Sequence, residues 1–325
     1  MNKLILIFTL VFNVISLHAI SLNKQTIMDI SRTYGYYQGQ LYSLNTIKKK
    51  YPKLSNDIFI ARSEFDFSFS KSIKNIDTLM SKYDGWKSIK KDIIKSIHTK
   101  LDLSNLTYQE SIQFIQLVRQ RAKGKIESSV LETLLMLNPE YEKYPEREFY
   151  DGFKKRYRCD DFKKSKGVDF LIDIPMSWAS KKANRPNIVR KFISQNGHSV
   201  EMAMILVYNF PDGKYLSTND IKGMVSQKEM QEALPANAIL KDYGFMKLET
   251  LPGYWQRYSM TIQRVRKIMT IEMLAYTIFY GDKLIQIQFQ VGDFHNKNLE
   301  KRFKKFESLF DSIINSFVLT NLYKQ

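Results

Sequence analysis

An α+β protein, with an all-helical N-terminal half followed by an antiparallel-sheet half layered with helices, is predicted by three observations. Up to about residue 158 apolar residues recur at steps of three and four, whereas from Val168 they alternate with polar ones. Gly281-Asp282 stands between two alternating runs as a two-residue hairpin loop, with Gly at the position that favours a type II′ turn. Leu299, Phe303, Phe306, Phe310, Ile313 and Phe317 then fall on one helical stripe able to cover an apolar sheet face, while Lys301, Arg302, Lys304 and Lys305 point away.

The chain opens with Lys3, an apolar run from Leu4 to Leu17, and His18-Ala19. This is the pattern of a signal peptide over residues 1–19, so an exported protein, periplasmic or extracellular, is expected. No cysteine follows the apolar run to receive a lipid, and no later segment is apolar enough to span a membrane. Cys159 is the one cysteine, so no internal disulfide can form; flanked by Arg158 and Asp160, it reads as a spectator thiol.

Net charge is +17, and lysine outnumbers arginine 37 to 13 without clustering in either half. A nucleic-acid partner is therefore not expected, because phosphate readers concentrate arginine on one face. Weak attraction to an anionic surface remains open.

Residues 20–158 read as a helical domain. A seam of Ile30, Tyr34, Tyr37, Leu41, Leu44, Ile47 and Tyr51 defines a helix over 22–51 that Pro52 ends, and Gly35 and Gly39 would let another helix approach. Further helices are expected over about 54–82, from Trp86 to Leu101, after the Thr107/Glu110 capping box, around 130–137, and over Pro145–Arg158. Residues 159–166, with Lys163, Lys164 and Lys166 exposed, read as a linker.

Residues 167–325 form the second domain. Val168, Phe170, Ile172 and Ile174 make a strand that ends at Pro175, and Trp178 is placed to plug the sheet's end. A strand near 188–193, an Asn196-Gly197 hairpin turn and a strand over 199–208 follow. Thr218–Leu234 reads as a helix crossing the sheet, after which strands resume near Ala238 and pass Pro252-Gly253. The Gly281-Asp282 turn fixes the last register, pairing Tyr280 with Lys283, Phe279 with Leu284, and Thr277, Ala275 and Met273 with Gln286, Gln288 and Gln290. On the opposite face Ile278, Tyr276 and Leu274 pair with Ile285, Ile287 and Phe289.

That row of glutamines is the one polar feature with a recognition chemistry. Gln286, Gln288 and Gln290, beside Thr277 and with Trp178 at the sheet's end, are candidate binding residues. The row could be solvated, lie under the 218–234 helix, or line a groove; in every case amides offer donors and acceptors but no acid-base work. No catalytic residue, metal site or cofactor is expected. His98, His198 and His295 share no ligand spacing, and no nucleophile elbow, phosphate loop or dinucleotide fingerprint occurs. Asp293 and His295 read as a polar turn before the last helix.

The order strand, Pro175-x-x-Trp178, hairpin, helix from Thr218, strands through Ile271–Val291, and a last helix with Ile313, Ser316 and Phe317 resembles the PsbP-like superfamily over the C-terminal half, about residues 160–320. Members of that superfamily, among them a photosystem II extrinsic subunit, a Ran-binding transport factor and chaperones of exported effectors, act mostly by binding. The resemblance implies a PsbP-like sandwich and an accessory role, and it carries over no functional residue. The helical half resembles only uncharacterised secreted bacterial proteins. The expectation is a secreted or periplasmic, non-catalytic protein that binds another envelope or exported protein. Alternatives are an envelope hydrolase whose site is assembled from distant residues, and a basic protein adhering to anionic lipid or polysaccharide.

Overall fold

The structure is a computed structural model that describes residues 23–264, 267–293 and 298–323. The residues expected to form a signal peptide, 1–19, and His295 lie outside those residues. Two compact units are resolved, Ser21–Glu148 and a second running from Phe149 to Gln325.

The first unit is helical throughout. It comprises α1 (Lys24–Lys50), α2 (Ser55–Met80), α3 (Trp86–Lys100), α4 (Tyr108–Ala122), α5 (Ser128–Met136) and α6 (Pro139–Lys143), with a short α7 (Glu146–Tyr150) at its end. Asn23 caps α1, its side chain accepting from the Thr26 amide, and Thr107 and Glu110 form the reciprocal capping box at α4. Ile30, Tyr34, Leu44 and Ile47 of the α1 seam are buried, and Gly35 lets Ile93 of α3 come within ordinary contact of where a Cβ would stand. Tyr34 meets the edge of Trp86 at 5.1 Å between ring centroids. α2 packs on α4 and places Phe65 and Phe69 in the interior, each stabilising by roughly 1.5–3 kcal/mol relative to exposure.

The second unit is a sandwich built on two antiparallel sheets. Its strands are β1 (Lys154–Arg158), β2 (Phe170–Pro175), β3 (Ala179–Lys181), β4 (Ile188–Ile193), β5 (Met202–Asn209), β6 (Ala238–Leu248), β7 (Leu251–Arg264), β8 (Lys267–Tyr280), β9 (Lys283–Asp293) and β10 (Val318–Leu319). A small sheet has the order β1-β2-β10 and a large one the order β3-β4-β5-β9-β8-β7-β6. A single turn α8 (Ser194–Gly197) joins β4 to β5; α9 (Thr218–Gly223) and α10 (Gln227–Glu232) lie between β5 and β6; α11 (Leu299–Ile314) follows β9.

The β8–β9 hairpin has the predicted register at every pair, from Tyr280↔Lys283 to Met273↔Gln290, and Gly281 sits at φ +55 in the turn. The stripe Leu299, Phe303, Phe306, Phe310, Ile313 and Phe317 is buried against Ile285, Ile287, Phe289 and the inward residues of β2. Phe289 and Phe310 stack at 4.7 Å between centroids. Arg302 does not point away as expected; it reaches buried Glu201 beside β5.

Four expectations are corrected. Residues 145–158 are not one helix: α7 stops at Tyr150, Gly152 takes φ +88, and Lys154–Arg158 runs as a strand paired with β2. The helical propensity of this segment yields to cross-strand bonds and to Tyr157, whose ring packs on Phe170 and Phe192. The 159–166 segment is no linker either. Cys159 extends the ladder to the Phe170 carbonyl, Ser165 is buried, and Lys166 turns inward to donate to the Val207 carbonyl at 2.8 Å. The units accordingly divide at Glu148/Phe149. Third, the helix expected over 218–234 is two short ones, broken where Ser226 restarts the backbone by capping the Glu229 amide. Fourth, the Asn196-Gly197 turn is longer than two residues, because Gln195 and Asn196 both take left-handed conformations before Gly197. Where strands β6 and β7 meet, the turn is Glu249-Thr250, both at positive φ, and Pro252-Gly253 lies inside β7.

Candidate functional site

The glutamine row is interior. Gln286 and Gln288 are 1% exposed and Gln290 and Thr277 are 0% exposed, so the second face of the β8–β9 hairpin is as dry as the first. Gln288 Nε2 donates to Gln286 Oε1 at 2.7 Å, Gln286 Nε2 donates to Thr277 Oγ1 at 3.0 Å, and Gln290 Nε2 donates to the Val200 carbonyl at 3.0 Å. The three amide nitrogens are thus satisfied on a dry sheet face, while Gln290 Oε1 is buried with no hydrogen-bond partner among the described residues. Ile221 of α9 and Met230 of α10 close one end of that face with Tyr254, Phe279 and Leu284, while Ala183 and Leu234 join Met204, Tyr258 and Met273 in the middle. Trp178 is 3% exposed in the core beneath α11, well away from a surface role. The five predicted binding residues are thus all internal, and the two faces of the sheet separate Trp178 from the glutamines.

Surface features that the sequence reading missed lie on the outermost strand of the large sheet. β6 pairs only with β7, so its other edge is the end of the sheet. Gln231 of α10 occupies the first part of that edge as a substitute strand: its Nε2 donates to the Ala238 carbonyl and its Oε1 accepts from the Leu240 amide, both at 2.9 Å. Gln256 Nε2 holds the Met230 carbonyl at 2.9 Å and so fixes the helix that carries Gln231. A register shift at Lys241 then reorients the strand. Beyond it the Asp242 carboxylate takes the Tyr243 amide at 2.9 Å. Alternation of the ladder turns the backbone groups of Phe245 and Lys247 outward, and among the described residues nothing bonds them.

This open half-strand is anchored from both sides. Tyr243 and Phe245 pack into the cluster that holds Ile221 and Phe279, and Met246 and Leu248 pack against the main core. Lys222 lies 5.2 Å from the Phe245 ring centre. At Gly244 the Trp255 indole crosses so closely that an added Cβ would meet its Nε1 at 2.6 Å. The signal available in the sequence was the Lys241-Asp242 charge pair inside an otherwise apolar strand, a device of exposed sheet edges.

The face of β6–β8 toward α11 carries a charged cluster. Glu272, 0% exposed, pairs with Lys241 at 2.8 Å and with Arg257, and Arg257 also holds Glu300 of α11 at 2.7 Å. Arg257 lies over the Phe303 ring at 4.0 Å. Its guanidinium holds the Glu300 carboxyl below the usual carboxylate range. Two cations and two anions therefore cancel, and two of the four, Lys241 and Glu300, line a groove of about 740 Å³ that opens between the outer strands and the start of α11. No group of three or more His, Cys, Asp and Glu placed to hold a metal occurs among the described residues, and no helix among them is long and apolar enough to cross a membrane.

No family model and no curated protein matches the chain. Among solved structures, the Ran-binding protein Mog1p of Saccharomyces cerevisiae is similar over 51% of this chain and 95% of its own, at 7% identity and a TM-score of 0.32. LpqN of Mycobacterium tuberculosis, involved in cell envelope biogenesis, is similar over 52% of this chain and 92% of its own, at 11% identity and a TM-score of 0.30. A protein of Bacteroides thetaiotaomicron is similar over 46% of this chain, at 12% identity and a TM-score of 0.28, and there the chain spans 44% of the other's length. Likenesses at these scores assign this chain neither an activity nor a partner, and its α+β architecture rests on its own strands and helices.

Proposed function

We propose that this chain is a non-catalytic accessory protein of the cell envelope that captures an extended segment of another exported protein on the open edge of β6. The observation that carries the reading is the half-strand Tyr243–Lys247, in which the outward backbone groups of Phe245 and Lys247 have no partner among the described residues while Tyr243, Phe245 and Met246 pack into two cores. A rigid, unpaired edge is a template for strand addition: main-chain bonds supply affinity and the flanking Tyr243, Phe245 and Lys247 side chains supply selectivity. The export pattern at the N-terminus supports an envelope setting.

Amide hydrogen exchange on the protein with its envelope partner, captured by crosslinking from envelope extracts, tests this. The Phe245 and Lys247 amides become protected in the complex, and Lys247→Pro, which removes an outward donor at an exposed position, abolishes capture while circular dichroism stays unchanged. A partner that binds Lys247→Pro equally well and leaves those two amides exchanging freely rules the edge out.

A further inference from the structure

The groove between β6–β8 and α11 is lined by hydroxyls, amides and lysines around a few apolar side chains. Ser259, Thr261 and Thr270 come from adjacent strands on one face and line it, and none of their hydroxyls has a hydrogen-bond partner among the described residues. Lys241 stands on one wall, and Lys301 and Lys304 on the other, from α11. Lys241 is committed to Glu272 and Glu300. Lys304 approaches Glu300 only to 3.9 Å, and Lys301 has no ion pair among the described residues.

Because Lys241 and Arg257 balance Glu272 and Glu300, the latter a lining residue, the two α11 lysines set the sign of the groove. They lie within a Debye length of a ligand seated on the hydroxyls, so an anion there is attracted in physiological salt. Hydroxyls that both donate and accept, gathered on one face of the two adjacent strands β7 and β8, match a polyhydroxylated molecule better than a bare ion. A groove of about 740 Å³ is wide enough for more than one sugar ring.

We infer that this groove binds an anionic saccharide, its carboxylate or phosphate between Lys301 and Lys304 and its hydroxyls on Ser259, Thr261 and Thr270. The site is independent of the β6 edge: Lys241 separates it from the open half-strand.

Isothermal titration of the intact protein with an oligogalacturonate, a neutral oligogalactose of the same length, inorganic phosphate and phosphatidylglycerol vesicles decides the matter. The oligogalacturonate binds; the neutral oligomer binds at least tenfold more weakly. Lys301→Ala with Lys304→Ala lowers affinity about tenfold and flattens its salt dependence, and Ser259→Val with Thr270→Val lowers affinity while leaving the salt dependence as it was. All four positions are at least partly exposed, and circular dichroism of each variant checks folding. Equal binding of phosphate and oligogalacturonate, insensitivity to the hydroxyl substitutions, or binding to the vesicles alone overturns the inference.

Discussion

Arg156 holds Asp173 through two parallel bonds, Nε to Oδ1 at 2.8 Å and Nη2 to Oδ2 at 3.1 Å, and the two residues are direct partners across β1 and β2. Arg158, registered opposite Leu171, reaches diagonally to Asp169 just before β2 through a single bond, Nη2 to Oδ2 at 3.0 Å; Asp169 is 1% and Asp173 4% exposed. Two buried carboxylates, Asp173 on β2 and Asp169 just before it, therefore require cations on β1, and this requirement, with the packing of Tyr157, outweighs local propensity in making Lys154–Arg158 a strand.

The Arg156 guanidinium holds the Asp173 carboxyl below the usual carboxylate range. A depressed folded value means that this stabilisation is complete above the unfolded value of about 3.9 and is lost as pH falls through the lower folded value. Asp173→Asn is expected to cost about 1.5–3 kcal/mol at neutral pH and to flatten the loss of stability on acidification. Urea unfolding at neutral pH and at a series of values below about pH 3.9 measures both. An unchanged acid slope in the variant would show that other carboxylates govern it.

Gln288→Leu keeps side-chain volume but leaves Gln286 Oε1 without its donor inside the sheet. The expected loss is about 1–3 kcal/mol, with no change in the binding of a partner at the β6 edge. Chemical denaturation and the capture experiment together read this out; a variant of full stability that no longer captures its partner would return the glutamines to a recognition role.

Gln231→Ala removes the substitute strand from Ala238 and Leu240. Exchange of the Leu240 amide is expected to accelerate about tenfold or more, and the edge lengthens, so that self-association rises with concentration. Exchange and sedimentation measure the two effects, and a Leu240 amide that keeps its protection argues against the cap.

Cys159 is 3% exposed, and burial pushes its thiol up from the ordinary range. An aromatic disulfide reagent is expected to label it only as fast as the second unit opens, and at the rate of a free thiol once urea unfolds the chain. Immediate labelling of the native protein would make Cys159 a reactive site.

The sequence by itself determined the β8–β9 register, because a two-residue loop and a period of two leave one alignment, and it determined the α11 stripe, because four phenylalanines at helical spacing have one face to fill. It also located the helical half, where long seams and a capping box are local signals. Tertiary structure alone decided that the glutamine face is dry: period reports which side chains share a face, whereas burial depends on what a distant segment lays over it, as Val200 does for Gln290 from 90 residues away. The open edge of β6 was hidden for the same reason, since an edge is defined by strand order in the assembled sheet and every strand looks alike until its neighbours are placed.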